Sequence, residues 1–470
     1  MDYRVESDSL GERQVPAEAY YGVQTVRAME NFQVTSIPIS HYNRLIQALA
    51  CIKKAAAVSN LELGLLDQEK SQAIVEACRE VRQGLLDDQF PVDVIQGGAG
   101  TSVNMNANEV ICNRALELMG RKKGEYDALH PNNHVNLCQS TNDVYPTALR
   151  IACIWYCREL IPELRELKDG FHRKGEEFCH VIKMGRTQLQ DAVPMTLGQE
   201  FDAFGVTMAE DIQRLEEAMA LLHEINMGAT AIGTGINTVP GYSELVSRRL
   251  ADITGLKLIR SGNLVEATSD TGVFVQLSGI LKRISVKLSK ICNDLRLLSS
   301  GPYTGLREIN LPQVQPGSSI MPGKVNPVIP EMVNQACYQV IGNDLTVSMA
   351  SESGQLQLNV FEPIMAFNLF QSMQVLKNSC SILHKRCIRD ITANQNTCVE
   401  MVRDSCGLAT ALVPRLGYDR AAELAHEAQE RRKSIYELVL EQGLLGKEEL
   451  DEFLNPVNMT CPHDFRTDED

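Results

Sequence analysis

No stretch of roughly 18 uncharged apolar residues occurs in this sequence, and its start, Met1-Asp2-Tyr3-Arg4-Val5-Glu6, lacks the basic segment and apolar run of a targeting signal. Neither a membrane span nor an export signal is expected, and the chain reads as cytoplasmic. Positive charge is also short, with 45 Lys and Arg against 60 Asp and Glu and a net charge of -15. That excludes a broad nucleic-acid or anionic-membrane surface, so an anionic substrate has to be caught by a local basic site. The fourteen cysteines include no CxxC and no regular spacing, which argues against a disulfide framework or a zinc knuckle. The closest pair, Cys153 and Cys157, reads as core filling on one helix face. Internal repeats are missing and clean alternating strands are scarce, so the class is mainly α.

What is present is a set of long helical stripes. Leu197, Phe201, Phe204, Met208, Ile212, Leu215, Met219 and Leu222 recur every three or four residues, the seam of one long packed helix. Leu277, Leu281, Ile284, Leu288, Ile291, Leu295 and Leu298 repeat that signal. Further helices are expected over 41–84, from about Pro330 to Ser351 and from about Glu362 to Cys387, with Pro162 breaking or kinking a weaker stripe. The first thirty residues read as an extended arm. Ser434-Ile435-Tyr436-Glu437 has the form of a capping box in a small helical end domain, and a disordered tail is expected from Arg466 to Asp470.

Four polar stretches interrupt this background. Gly317-Ser318-Ser319-Ile320-Met321-Pro322-Gly323-Lys324-Val325-Asn326-Pro327 joins a flexible entrance, a Pro-Gly turn, one lysine and one amide, the composition of a mobile loop around a small anion. Gly97 to Asn106 feeds Thr101 and Ser102 into a helix start, and Gln139-Ser140-Thr141-Asn142-Asp143 feeds another. Gly185-Arg186-Thr187-Gln188-Leu189-Gln190-Asp191 stands before the stripe that begins at Leu197, so several helix starts are expected to converge on one pocket. The loop at 317 is no P-loop, because five residues separate Gly317 from Gly323 and Val325 takes the place of the metal-binding hydroxyl. The glycines at 97–100 lack the strand-turn-helix setting of a dinucleotide fingerprint. His130 and His134 make only a lone His-x3-His beside Pro131, and neither a metal nor a cofactor is called for.

With these four segments together the sequence closely resembles the aspartase/fumarase superfamily, whose hallmark loop is Gly-Ser-Ser-x-Met-Pro-x-Lys-x-Asn-Pro. The resemblance extends from Ala19-Tyr20-Tyr21-Gly22 to Ser434-Ile435. Within the superfamily, Gln188 and the run from Val325 to Glu331 resemble the members that deaminate L-aspartate, whereas the hydratases usually carry His at position 188. The resemblance implies a three-part fold divided at 141/142 and 396/397 around a central bundle of long helices. It also implies a homotetramer with each active site built from three subunits, and formation of fumarate and ammonia through an aci-carboxylate. By the family pattern Ser318 is the general base. Thr101, Ser140, Thr141 and Ser319 would surround the reacting carboxylate, Lys324, Asn326 and Thr187 would hold the α-carboxylate, and Asn142 and Gln188 would lie near the amino group.

Two residues depart from the pattern. Gln188 cannot titrate, which leaves no protein acid for the leaving group, and Tyr303 stands where relatives often carry Arg. Hydration of fumarate and a catalytically silent structural role remain the alternatives.

Overall fold

The structure is a computed structural model that describes residues 2–462. The expectation for the tail from Arg466 lies outside the described residues. Two compact units divide the chain, one of residues 1–162, 213–285 and 338–377 and one of 163–212, 286–337 and 378–470.

The amino-terminal segment is not a loose arm. Strands β1 (Tyr3–Asp8) and β2 (Gly11–Pro16) pair antiparallel and lead to helix α1 (Val23–Asn31). The start of α1 is tied down by Glu109, whose buried carboxylate accepts from the N–H groups of Gly22, Gln24 and Thr25 and from Thr25 Oγ1. Burial pushes Glu109 up to about 7 against the pull of these donors. The remaining helices of this unit begin with α2 (Asn43–Glu62), α3 (Gln68–Arg82) and α4 (Thr101–Leu118).

Helix α5 (Thr141–Glu177) runs through Pro162 without ending, so of the break or kink expected there the break does not occur. A proline costs a helix about 3 kcal/mol. Leu160, Ile161, Leu164 and Leu167 on either side are buried, and each such side chain returns roughly 1.5–3 kcal/mol. After α5 come the hairpin strands β3 (Ile182–Thr187) and β4 (Gln190–Thr196), then α6 (Leu197–Leu221), α7 (Tyr242–Thr254), α8 (Leu264–Ser269) and α9 (Gly272–Leu298). Helices α10 (Val328–Glu352) and α11 (Glu362–Arg386) match their expected ranges within two residues. All seven residues of the stripe on α9 are buried, so the periodicity named the packed face correctly. The chain is mainly α, and among the described residues no helix is long and apolar enough to cross a membrane.

Beyond residue 394 the helices are short: α12 (Gln395–Asp404), α13 (Val413–Leu416), α14 (Tyr418–Arg431), α15 (Ile435–Glu441), α16 (Lys447–Phe453) and α17 (Pro456–Thr460). The Ser434 and Glu437 capping box is formed as expected. These helices bury Leu412, Leu424, Ile435 and Leu438 together with Ile182 and Met184 of β3, so the small core also grips the base of the hairpin. Leu424 is fully buried there, and Leu424→Ala is expected to cost about 2–5 kcal/mol, read as a lowered unfolding midpoint in denaturant.

Candidate active site

The loop that follows Gln315 is closed on itself. Gly317 N–H donates to Lys324 O at 2.8 Å, and Asn326 Nδ2 donates back to Gly317 O at 2.6 Å. Glycine is required at 317, because a Cβ there would stand 2.6 Å from Lys324 O. Inside this closure Ser318 Oγ accepts two backbone N–H groups, from Ile320 at 3.2 Å and Met321 at 2.9 Å. Two donors aimed at one hydroxyl oxygen favour its charged form. Ser319 and Lys324 are exposed. Lys324 and Asn326 line a cavity of about 480 Å³, of which Ser318 and Ser319 are not lining residues.

Thr187 and Gln188 stand at the tip of the β3–β4 hairpin, which leads directly into α6 at Leu197. Gln188 and Leu189 have φ of 55° and 61°, as a two-residue turn between paired strands demands. The sequence carries no hairpin signal here, because the turn contains neither Asn nor Gly. Below the tip, Glu308 is fully buried and receives Arg186 Nη1 at 2.5 Å. Lys183 Nζ lies 2.7 Å from Glu308 Oε2, a charge contact off the hydrogen-bonding axis, and 2.6 Å from Glu200. Burial pushes the Lys183 ammonium down, but the two carboxylates outweigh it and hold it above its ordinary range. Glu308 directly precedes Ile309 and Asn310, which line the same cavity as Lys324.

The other four candidates lie in the first unit. At the start of α4, Gly100 has φ of 89°, and a Cβ there would enter the Tyr145 ring at 2.3 Å, so α4 and α5 meet closely at this turn. Thr101 Oγ1 donates to Gly98 O at 2.7 Å. Asn104 Nδ2 donates to Thr141 Oγ1 at 3.1 Å, which couples the two helix starts. Asp143 holds the turn before α5, accepting from the N–H groups of Ser140, Gly228 and Thr230. Asn142 Nδ2 donates to Ala231 O at 2.7 Å. Thus Thr101, Ser140, Thr141 and Asn142 gather in one unit, and Thr187, Gln188, Ser318, Ser319, Lys324 and Asn326 belong to the other.

Sequence reasoning missed Lys53, which is fully buried and donates to Asn136 Oδ1 at 2.9 Å and Gln139 Oε1 at 3.0 Å. Asn136 Oδ1 also accepts from Asn104 and Asn108, so Lys53 anchors the network that ends on Thr141. A signal was present: Lys53 falls four residues after Leu49 and three before Ala56, on an apolar stripe. Burial pulls its ammonium down to about 7, opposed by the nearby Asp143, which burial in turn pushes up to about 6. His130 and His134 act as local caps: His130 Nδ1 accepts from Asn132 N–H at 3.0 Å, and His134 Nδ1 from His130 N–H at 2.8 Å.

Comparison with known proteins shows the family. A family described as lyase matches residues 11–342, and one described as fumarase C C-terminus matches residues 408–461. The chain is 58% identical over 461 residues to an aspartate ammonia-lyase of Pseudomonas canavaninivorans, covering 98% of this chain and 97% of that protein. It is 53% identical over 460 residues to the aspartate ammonia-lyase of Escherichia coli K12, covering 98% and 96%. Among solved structures it is similar to a fumarate lyase:delta crystallin from Brucella melitensis bound to cobalt, with TM-score 0.96, 56% identity and coverage of 98% and 100%. A class II fumarase from Schistosoma mansoni gives TM-score 0.94 at 38% identity, with coverage of 98% and 100%.

The buried ammonium has a pH signature. A lysine whose folded pKa lies below its unfolded value destabilises the fold below the folded value, and the cost disappears as pH rises toward the unfolded value of about 10.4. The melting temperature of the unaltered protein is therefore expected to gain on that of Lys53→Met between pH 7 and pH 10, and parallel curves would contradict the lowering of the Lys53 pKa by burial.

Proposed function

The chain belongs to the lyase family that spans residues 11–342, and on that premise we propose that it removes ammonia from L-aspartate to give fumarate. The observation that carries this reading is the closed loop in which Ser318 Oγ accepts two backbone N–H groups close in sequence to Lys324 and Asn326.

Deamination requires a proton to leave the carbon beside the side-chain carboxylate of aspartate, and that proton is weakly acidic. A serine can take it only as an oxyanion, which asks for about five pKa units, or ~7 kcal/mol, of differential stabilisation. The Ile320 and Met321 N–H groups supply part of it, and the Lys324 charge is available for more. Ser318 Oγ takes the proton, and the electron pair passes into the carboxylate to form the aci-carboxylate. Thr101, Ser140, Thr141 and Ser319 donate to that group. The pair then returns to form the carbon-carbon double bond as the C–N bond breaks and the protonated amine leaves as ammonia. Lys324, Asn326 and Thr187 hold the α-carboxylate, and Asn142 and Gln188 orient the amine without titrating.

The site residues are distributed over the two units, and the reading assigns their completion to a homotetramer whose sites are shared among subunits. Tyr338, Leu345 and Met349 of α10 support self-association: they repeat at seven and four residues and stay 57%, 63% and 61% exposed. The three-part division at 141/142 and 396/397 belongs to the same proposal.

With L-aspartate as sole substrate, the ultraviolet absorbance of fumarate is expected to rise, and with L-malate it is expected to stay flat. Fumarate from malate alone would replace the proposal by a hydratase. Ser318→Ala is expected to lower kcat at least 10³-fold while leaving circular dichroism and oligomer size unchanged. Near-normal turnover in that variant would remove Ser318 from the role of base.

A further inference from the structure

The cavity beside Lys324 contains more positive charge than the proposed reaction has assigned. Arg296, Arg307 and Lys324 line it, against the single carboxylate of Glu331. Arg296 is engaged, donating through Nη1 to Asn334 Oδ1 at 3.2 Å and Asn293 Oδ1 at 3.4 Å. Arg307 is exposed, and its side chain makes no hydrogen bond or ion pair among the described residues.

The backbone at Arg307 is, by contrast, fully held. Its N–H donates to Ser300 O at 2.9 Å and its carbonyl accepts Asn394 Nδ2 at 2.9 Å. Its φ is 49°, a conformation that a branched-chain or long side chain adopts only at a cost of about 1 kcal/mol or more. The next residue supplies the anchor: Glu308, buried, ion-paired with Arg186 and Lys183, and bonded through its N–H to Leu298 O at 2.9 Å. A strained backbone pinned on both sides thus presents an uncommitted guanidinium at the wall that contains Lys324. An arginine can give a carboxylate two parallel N–H bonds, which the point charge of a lysine cannot.

We propose that Arg307 is a specificity-determining residue that binds the α-carboxylate of the substrate in this cavity together with Lys324. The assignment rests on the aspartate-deaminating reading for the identity of the substrate, but its binding arm does not need turnover. A protein of net charge -15 repels a dicarboxylate at long range, and a second local cation offsets that repulsion where the substrate lands.

The test uses Arg307→Gln and Arg307→Lys in the full-length protein, with kinetics on L-aspartate and thermal protection by fumarate. Loss of one charge-assisted carboxylate contact predicts a KM raised about 10- to 100-fold in Arg307→Gln with kcat within about 3-fold, and partial recovery in Arg307→Lys. Ligand-free melting temperatures are expected to match, because the side chain has no hydrogen bond or ion pair among the described residues to lose. Fumarate that raises the melting temperature of the unaltered protein should fail to raise that of Arg307→Gln at the same concentration. Unchanged KM and unchanged protection would overturn the proposal, as would a fall in kcat with KM intact or a failure of fumarate to protect the unaltered protein. If the unaltered protein does not turn over aspartate while fumarate protects it and not Arg307→Gln, the reaction assignment fails and the binding role of Arg307 stands.

Discussion

A carboxylate taken fully out of water, Glu308, is paid for by two cations, Lys183 and Arg186, that belong to the strand leading into the hairpin tip. Leaving either charge unpaired in that setting costs several kcal/mol, so the strand, the buried acid and the segment after it must keep one relative arrangement. The hairpin tip with Thr187 and Gln188 and the cavity wall at 307–310 are therefore positioned by the same contact. The carboxy-terminal core adds to the constraint by burying Ile182 and Met184 at the base of the strand.

The same economy recurs at the other candidate segments. Exposed or half-buried groups that would meet a substrate are each backed by buried polar atoms that are not free to move. Asp143 gathers three backbone donors under Ser140, and Lys53 fixes the amide chain that reaches Thr141. In the loop, Asn326 and Gly317 close the ring inside which Ser318 receives its two N–H donors. Preorganisation of this kind matters for a reaction whose difficulty is the charge that develops in the transition state, because donors already in place need not reorganise when it appears.

Much of the helical framework was legible from periodicity, since a buried stripe of Leu and Ile leaves the same three-and-four spacing whatever it packs against. The failures have equally physical causes. Pro162 signals a break or a kink, and the break does not occur because the apolar surface around it outweighs one missing hydrogen bond. The first thirty residues lack a helical period because residues 3–16 pair as a hairpin, and the turn into α1 is held by Glu109, a residue more than 80 positions away. The hairpin at 185–191 left no turn signal, because its turn uses Gln188 and Leu189 at positive φ in place of the usual Asn and Gly.

By itself the sequence determined the mainly helical class, the ranges of the long helices, and the short polar segments where chemistry could sit, because these depend on local spacing and residue type. Only the tertiary structure decided which buried charges stand behind those segments. Glu308 and Lys183 resemble ordinary surface residues in one dimension, Lys53 is marked only by its place on an apolar stripe, and the partners of all three are set by contacts across 17 to 125 positions, which no local pattern records. It also decided that the guanidinium of Arg307 lines the cavity of Lys324 with no hydrogen bond or ion pair among the described residues, since a missing partner can be recognised only once the neighbours have been placed in space.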